Sequence, residues 1–560
     1  MGSIAMPTEP PNLLTRSGLQ VADYVVMFVY MGALLCVGIY LARRQKTSEA
    51  FFVGGRRMPW ALVGISMLAT LMSTLTYLGS PGEVIQHGLG RAFGLIALPF
   101  AFVVIAFVWV PFFMRLRLTS AYEYLELRFG RSVRLLGVAL FLYMRLLWMG
   151  LILYTASMAI ALMTEATGPQ ALETLTGGLL RLDERAWFYF VLLFIGVLST
   201  AYTALGGIEA VIWTDTLQFL TLFGGAVLTI LLVAFRTDTG PMQWWTESSR
   251  LAHSLPPLAS WDLTTRVTVL TVVLNIFFWQ ICTHCSDQVA LQRYFSTDSA
   301  ASARRTAMIG MGLDVVMQVV LVLVGMALLT YYLHHAAELP AHVTDPRAAG
   351  FADRIFPHFI AHGLPVGVSG LVLAAVFAVA QSSIDSGINS SATVISVDLL
   401  RKRGAGAGPL NEAAELRMAK LLTLVIGAFV IAAGLLVAQL PERYNIIDLT
   451  MKSFNTVLGP LAAVFMAGFF LRHVGELAAL CAGMIGAASG LLLAFAADLL
   501  PGWRGPSMYL VIPLSWAITF GTAALLGLFL PKPLPERLAG LTWFEAKGRS
   551  GPENGPGPSP

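Results

Sequence analysis

Thirteen mostly apolar stretches, near 22–42, 58–80, 92–114, 135–163, 187–205, 208–234, 267–290, 307–332, 366–397, 419–440, 453–471, 475–498 and 508–530, follow one another at short intervals along the chain. A helix needs roughly 20 such residues to cross a bilayer, and only structures that satisfy their own backbone polar groups are tolerated there. The chain is therefore expected to be an all-α integral membrane protein with about thirteen transmembrane helices. At 56% hydrophobic and 12% charged residues, with a mean hydropathy of +0.72, its 560 residues carry too little polar surface for a soluble fold. No basic segment followed by an apolar core precedes residue 22, so the first stretch itself is expected to serve as the targeting signal.

Lys and Arg are retained on the cytoplasmic side during insertion. An outside amino terminus places roughly two thirds of the 36 basic residues inside, in clusters such as Arg43-Arg44-x-Lys46, Arg56-Arg57, Arg115-x-Arg117, Arg304-Arg305 and Arg401-Lys402-Arg403. The prediction is a multi-pass protein of the plasma membrane with its amino terminus outside and its carboxyl terminus in the cytoplasm. The net charge of +4 then reports topology and implies no nucleic-acid partner. Cys36, Cys282, Cys285 and Cys481 all fall in apolar runs and form no extracellular disulfide framework. Longer connections are expected outside at 165–186, 235–266 and 333–365; in the second, Trp244-Trp245 suits a surface anchor or an interfacial lid. The Gly/Pro/Ser-rich tail from Gly548 to Pro560 is expected to be disordered.

Polar residues inside the membrane carry the chemistry, because each must face protein, water or an ion. In the second stretch, "GISMLATLMSTLTYLGSPG", Gly64, Gly79, Pro81, Gly82 and several hydroxyl residues predict a broken helix, whose freed carbonyls are tolerated only where they line a cavity or hold a cation. The ninth, "LAAVFAVAQSSIDSGINSSATVISVDLL", crowds Ser382, Ser383, Asp385, Ser386, Asn389 and Ser390 together, and the sixth holds Asp215 in "GGIEAVIWTDTLQ". Hydroxyls, carboxylates and free carbonyls suit a hard cation such as sodium and not zinc or copper. The alternative is that the hydroxyls bond the preceding turn and pack helices. In the seventh stretch, "ICTHCSDQ" places Cys282 and Cys285 at C-x-x-C spacing around Thr283 and His284. Zinc wants more ligands than lie in reach, and a redox pair of this kind usually opens a helix beside a sheet.

"FFVGGRRMPW", "YTALGGIEAVIWTDTLQ", "SDQVALQRYF", "AQSSIDSGINSSATVISVDLL" and "FNTVLGPLAAVF" occur here in the order in which the sodium:solute symporter family has them, and over roughly residues 20 to 470 the chain resembles that family. The resemblance implies a leucine-transporter-type fold with an inverted five-plus-five repeat. An extra amino-terminal helix at 22–42 would precede repeats over 58–234 and 267–471, and two further helices would follow within 475–530. It also implies a sodium (Na+) site made by the carbonyls of Ala69, Met72 and Val379 and the hydroxyls of Ser382 and Ser383. A possible second sodium site would use Asp215, Asp385 and Ser386, although a carboxylate at 385 departs from the family and could also hold a proton. Leu71 stands where proline transporters have an aspartate.

For the solute, the resemblance directs Ser73, Thr76, Gln280, Thr283 and His284 towards a cavity, with plain helix packing as the alternative for the last three. Threonine at 283, where sugar carriers stack a tyrosine, weakens the case for a hexose. Arg145, inside the fourth span, stands in the helix where sialic acid carriers grip a carboxylate; the alternative is a structural ion pair with Asp314. Residues 66 to 83 also resemble the monocarboxylate and vitamin branch. The expectation is a sodium-coupled secondary active symporter that imports a small organic, carboxylate-bearing solute by alternating access and works as a monomer in the lipid bilayer. The alternatives are a sugar or polyol symporter and, from another class, a transporter-like sensor. No nucleophile and base appear at motif spacing, so no enzyme is expected.

Overall fold

The computed structural model describes residues 18–42, 47–165, 167–250, 260–265, 267–340, 343–352, 354–400, 412–440, 446–500 and 505–548. The basic clusters at 43–46 and 401–403, most of the tail expected to be disordered and part of the 235–266 connection lie outside the described residues. Among those described, every regular element is helical. Twelve helices are long and apolar enough to cross a membrane, one fewer than expected. The difference comes from the second stretch, which is two pieces, Trp60–Leu71 and Thr74–His87, the later piece running on through a 3₁₀ segment into the third span.

Local chemistry explains where the chain breaks. Ser73 caps the later piece by accepting a hydrogen bond from Thr76 N at 3.2 Å, an option that competes with continuing the helix. Met72, just before it, is extended at φ −85° and ψ 116°. Gly79, Pro81 and Gly82, which the sequence singled out, do not make the break; they lie inside Thr74–His87. Gly64 serves close packing instead, since a Cβ there would stand 2.8 Å from Ile309.

The seventh span breaks in the same way. Val269–Ser286 and Gln288–Phe295 are separated by Asp287, at φ −83° and ψ 118°, whose carboxylate caps the second piece by accepting from Val289 N at 3.0 Å. The two breaks have matching dihedrals, and Trp60–Leu71 and Gln288–Phe295 both pack on the ninth span, Val368–Leu400, which like Met451–Phe470 is 94% buried over a membrane-length window, against 22% for Val21–Leu41. An apolar helix exposed to that degree is one that faces lipid, whereas a helix buried all round can afford serines.

The amino-terminal helix does more than cover this core. Asp23, fully buried, accepts hydrogen bonds from Gly367 N at 2.7 Å and Gly370 N at 3.1 Å, so a carboxylate from the first helix satisfies the orphan donors and positive dipole end of the ninth. Gly367 has φ 82°, and a Cβ on Gly370 would meet the Asp23 carbonyl oxygen at 2.1 Å. Between the fifth and sixth spans the chain turns at Gly207, φ 54°, and Tyr202 reaches over the turn to share a hydrogen bond of 2.8 Å with Thr214.

In the connections, Trp244 is fully buried and donates to Thr239 Oγ1 at 2.6 Å, while Trp245 stays exposed. Only the second of the pair can act as an anchor. His358, on the short helix Ile355–His362, shares a 2.8 Å hydrogen bond with Tyr332 and stacks against His362. Burial, with His362 alongside, pushes its pKa from 6.5 down to about 4. Between those values the unfolded segment binds the extra proton, so stability here falls as pH drops from 6.5 towards about 4. Protection factors over 355–362, taken relative to intrinsic exchange at each pH, are expected to fall across that interval, and constant protection would contradict the assignment.

Candidate cation and solute site

At the end of Trp60–Leu71, Met72 N donates to Leu68 O at 2.8 Å, and the carbonyls from Ala69 to Met72 lie past the last rung of the helix. The ninth span faces them. Its Ser383 Oγ donates to the Thr70 carbonyl at 3.4 Å, and Val379, Ser382 and Ser383 are all buried beside it. Ser383 is thus brought against the end of Trp60–Leu71, while Ala69, Met72, Val379 and Ser382 are buried along the same two stretches of chain. The donors there are carbonyl and hydroxyl oxygens, and among the described residues no three His, Cys, Asp or Glu side chains gather to hold a metal. An all-oxygen, weakly charged set of this kind fits a hard monovalent cation.

Asp215 lies against this place. Its Oδ1 accepts from Ser382 Oγ at 2.5 Å, and its Oδ2 accepts from Ser66 Oγ at 2.5 Å and Thr70 Oγ1 at 3.1 Å. A third partner of Oδ2 was not assigned a role from sequence: Arg293, fully buried, donates to it through Nη2 at 3.1 Å. The same guanidinium donates to Ser386 Oγ at 2.8 Å, to Ser66 Oγ at 3.1 Å, to Thr70 Oγ1 and to the Val289 carbonyl. Asp215 and Ser386, expected at a second sodium site, therefore surround a cation that belongs to the chain. Asp385 is buried one residue away with Thr203 and Gln381 close by, and its Oδ1 accepts no hydrogen bond. Arg293 was visible as part of "SDQVALQRYF", but its partner lies 78 residues upstream and only the fold joins them.

A cavity of about 230 Å³ opens on the other side of the same break. Met72, Ser73, Thr76, Gln280 and His284 line it, and it extends past Ser80 and Val84 to Arg91. Ser73 and Thr76 hydroxyls are 3.1 Å apart at the start of Thr74–His87. His284 Nδ1 and the Tyr294 hydroxyl share a hydrogen bond of 2.6 Å, and Cys282 and Cys285 are buried in the helix packing. Thr283 is fully buried with no partner for its hydroxyl and is not in the lining.

Arg145 is also outside the lining. Its guanidinium lies 4.9 Å from the ring of Trp148 and 5.7 Å from that of Phe454, two residues that do line the cavity, and it donates to Asp287 Oδ2. Its ion-pair partner is thus the residue at the seventh-span break and not Asp314, which instead accepts from Gln280 Nε2 at 3.1 Å and Gln318 Nε2 at 3.4 Å. This pairing was out of reach of sequence, because Asp287 lies 142 residues from Arg145 and no spacing relates the two.

Away from the cavity, the end of the molecule that carries Arg56 is closed. Gln292 Nε2 donates to Phe52 O at 2.5 Å and Asn389 Oδ1 at 2.8 Å, and Arg56 Nη2 donates to Leu118 O at 2.9 Å. Asp398 ties this end further, accepting from Arg134 Nε at 2.6 Å and Ser120 Oγ at 2.5 Å.

Comparison with known proteins bears on this arrangement. The family model described as the sodium:solute symporter family matches residues 51–486. The sodium/sialic acid symporter SiaT of Proteus mirabilis (strain HI4320) is 30% identical over 483 residues, covering 85% of this chain and 90% of that one. Human sodium-coupled monocarboxylate transporter 1 is 29% identical over 503 residues, 86% of this chain and 74% of that one. A solved structure of a Na+-coupled sialic acid symporter, in a substrate-bound outward-open state, superposes with a TM-score of 0.76 at 27% identity, covering 92% of this chain and 99% of that one.

Proposed function

The chain belongs to the sodium:solute symporter family, and on that premise we propose that it couples inward sodium flow to the uptake of a small carboxylate-bearing solute. The observation that carries this reading is the broken second span, whose last carbonyls lie past the helical ladder and whose Thr70 carbonyl accepts from Ser383 of the ninth span. Sodium is held there by the carbonyls of Ala69, Met72 and Val379 and by the two serine hydroxyls. A bound ion joins the second and ninth spans and favours the state in which they touch, since a ligand shifts an equilibrium only through differential affinity. The breaks at Met72 and Asp287 are taken as equivalent points of two inverted units, 58–234 and 267–471, that move against each other.

The solute's carboxylate is placed at Ser73 and Thr76, where two hydroxyls and the positive end of a half-helix converge beside the cavity. Arg145, behind Trp148 and Phe454, has its charge balanced by Asp287, and it would pair with the solute only by exchanging that carboxylate once those rings move. With Arg293 between Asp215 and Ser386, one sodium per cycle is the reading adopted; a second ion would have to displace that guanidinium. The amino terminus is placed outside, which makes the cavity end at Arg91 extracellular and the closed end at Arg56 cytoplasmic.

The relatives named for sialic acid and monocarboxylates favour an acid over a plain sugar. Proteoliposomes given an inward sodium gradient are expected to accumulate labelled organic acids and not glucose, with a sodium Hill coefficient close to unity. Accumulation of glucose alone would replace this reading with the sugar or polyol one, and uptake indifferent to sodium would remove the coupling.

A further inference from the structure

Three of the basic clusters that mark topology in the sequence meet on one side of the molecule. Arg56 Nη2 donates to Arg117 O at 3.3 Å, Met58 N donates to Ser296 O at 3.0 Å, and the eighth span, Ala300–His334, packs against Val110–Leu116 at the end of the third. Arg57, Arg115, Arg117, Arg304 and Arg305 are thereby gathered, all exposed, at the end that carries Arg56. Topology asks for positive charge at this end but not for its convergence on one seam.

Arg304 and Arg305 are the informative pair. Among the described residues neither has a carboxylate partner, and the acid nearest in sequence, Asp298, is engaged with the Ser299 and Ser302 hydroxyls. The two guanidinium groups lie instead by aromatic rings on neighbouring spans, Arg304 at 5.9 Å from Phe107 and Arg305 at 5.6 Å from Trp60. A ring offers a quadrupole and not a charge, so both cations stay uncompensated. Phe107 lies in the π-helical segment Ile105–Trp109, ahead of the closing turns Val110–Leu116, which sets Arg304 alongside the third span and not past its end. Further along both helices the surface is apolar. Phe100, Val103, Phe107 and Met308 are each more than half exposed, and a Cβ on Gly312 would meet nothing within 4 Å.

Uncompensated cations at the edge of an apolar strip match the two halves of an anionic lipid, a phosphate and its acyl chains. We propose that the seam between the third and eighth spans binds an anionic phospholipid, whose phosphodiester pairs with Arg304 and Arg305 and whose chains lie along Phe107 and Met308. The site adjoins the transport machinery. Thr306 Oγ1 donates to Trp60 O at 3.1 Å, and a Cβ on Gly64 would stand 2.8 Å from Ile309, so a lipid held here bears on the helix piece whose last carbonyls face Ser383.

Native mass spectrometry of the detergent-purified full chain, titrated with dioleoylphosphatidylglycerol or dioleoylphosphatidylcholine, tests this. The anionic lipid is expected to be retained about tenfold or more tightly than the zwitterionic one. Arg304→Gln and Arg305→Gln, made singly, are each expected to weaken its retention about fivefold, and together roughly 25-fold, with phosphatidylcholine unchanged. The single variants keep the test informative should the double variant not fold. Arg131→Gln with Lys532→Gln removes the same charge from exposed positions elsewhere at this end and is expected to leave retention within about twofold. Equal retention of both lipids by the unmodified protein, or an equal loss in the control pair, overturns the site. Glycerol 1-phosphate at the lipid's concentration is expected not to compete, and full competition by it would overturn the lipid assignment in favour of a free anion.

Discussion

Arg293→Ala is expected to destabilise the detergent-solubilised protein by about 3–5 kcal/mol, the range for removing one partner of a buried ion pair. The reason is geometric. Asp215 is fully buried, and without the guanidinium it keeps only the hydroxyls of Ser66, Thr70 and Ser382 to stabilise its charge. Four other acceptors lose a donor at the same time, among them Ser386 Oγ. Replacing both partners, Asp215→Asn with Arg293→Met, is expected to recover most of the loss, because a pair swapped for neutral groups strands no charge. Thermal unfolding in detergent reads both effects. A single variant no less stable than the double would show that the pair does not hold the second, sixth, seventh and ninth spans together.

The second large effect falls on the ion. Ser383 reaches the Thr70 carbonyl at 3.4 Å, a long contact that a cation between the two oxygens would replace with coordination to both. Ser383→Ala is expected to raise half-saturating sodium by roughly 10- to 100-fold, the equivalent of about 1.5–3 kcal/mol for a polar group acting on a charge. Ser382→Ala is expected to do the same and also to free Asp215 Oδ1, so Ser383 is the cleaner probe. Ser390→Ala serves as the control, since Ser390 Oγ is engaged with the Ser386 carbonyl of its own helix at 2.7 Å. Sodium affinity that moved equally in Ser390→Ala and Ser383→Ala would remove the ion from this position.

How far the sequence carried the structure depends on the range of the interaction. Apolar runs mark the membrane helices because crossing length is a local property, and the hydroxyl cluster on the ninth span was legible because all of it lies within a few turns. The broken helix was legible too, although of the residues credited with it the hydroxyls matter and the glycines and proline do not. Gly79 and Pro81 are tolerated within Thr74–His87, and the break is set by Ser73, whose capping bond to Thr76 is invisible in composition. Long-range charge pairs were out of reach. Arg145 was recognised as needing a partner, but nothing in a one-dimensional pattern distinguishes Asp287 from Asp314, and Arg293 drew no notice because a conspicuous motif surrounds it.

The capping of the ninth span by Asp23 has a bearing on biogenesis. The carboxylate leaves the ribosome 344 residues before the backbone amide of Gly367 that it will meet. At translation speeds of 5–20 residues per second, that is a wait of roughly 20 to 70 s. Throughout it the carboxylate has the Gln20 backbone amide of its own helix start, at 2.9 Å, as a donor, so the first helix can complete its seat on the ninth span only after Gly370 has been made.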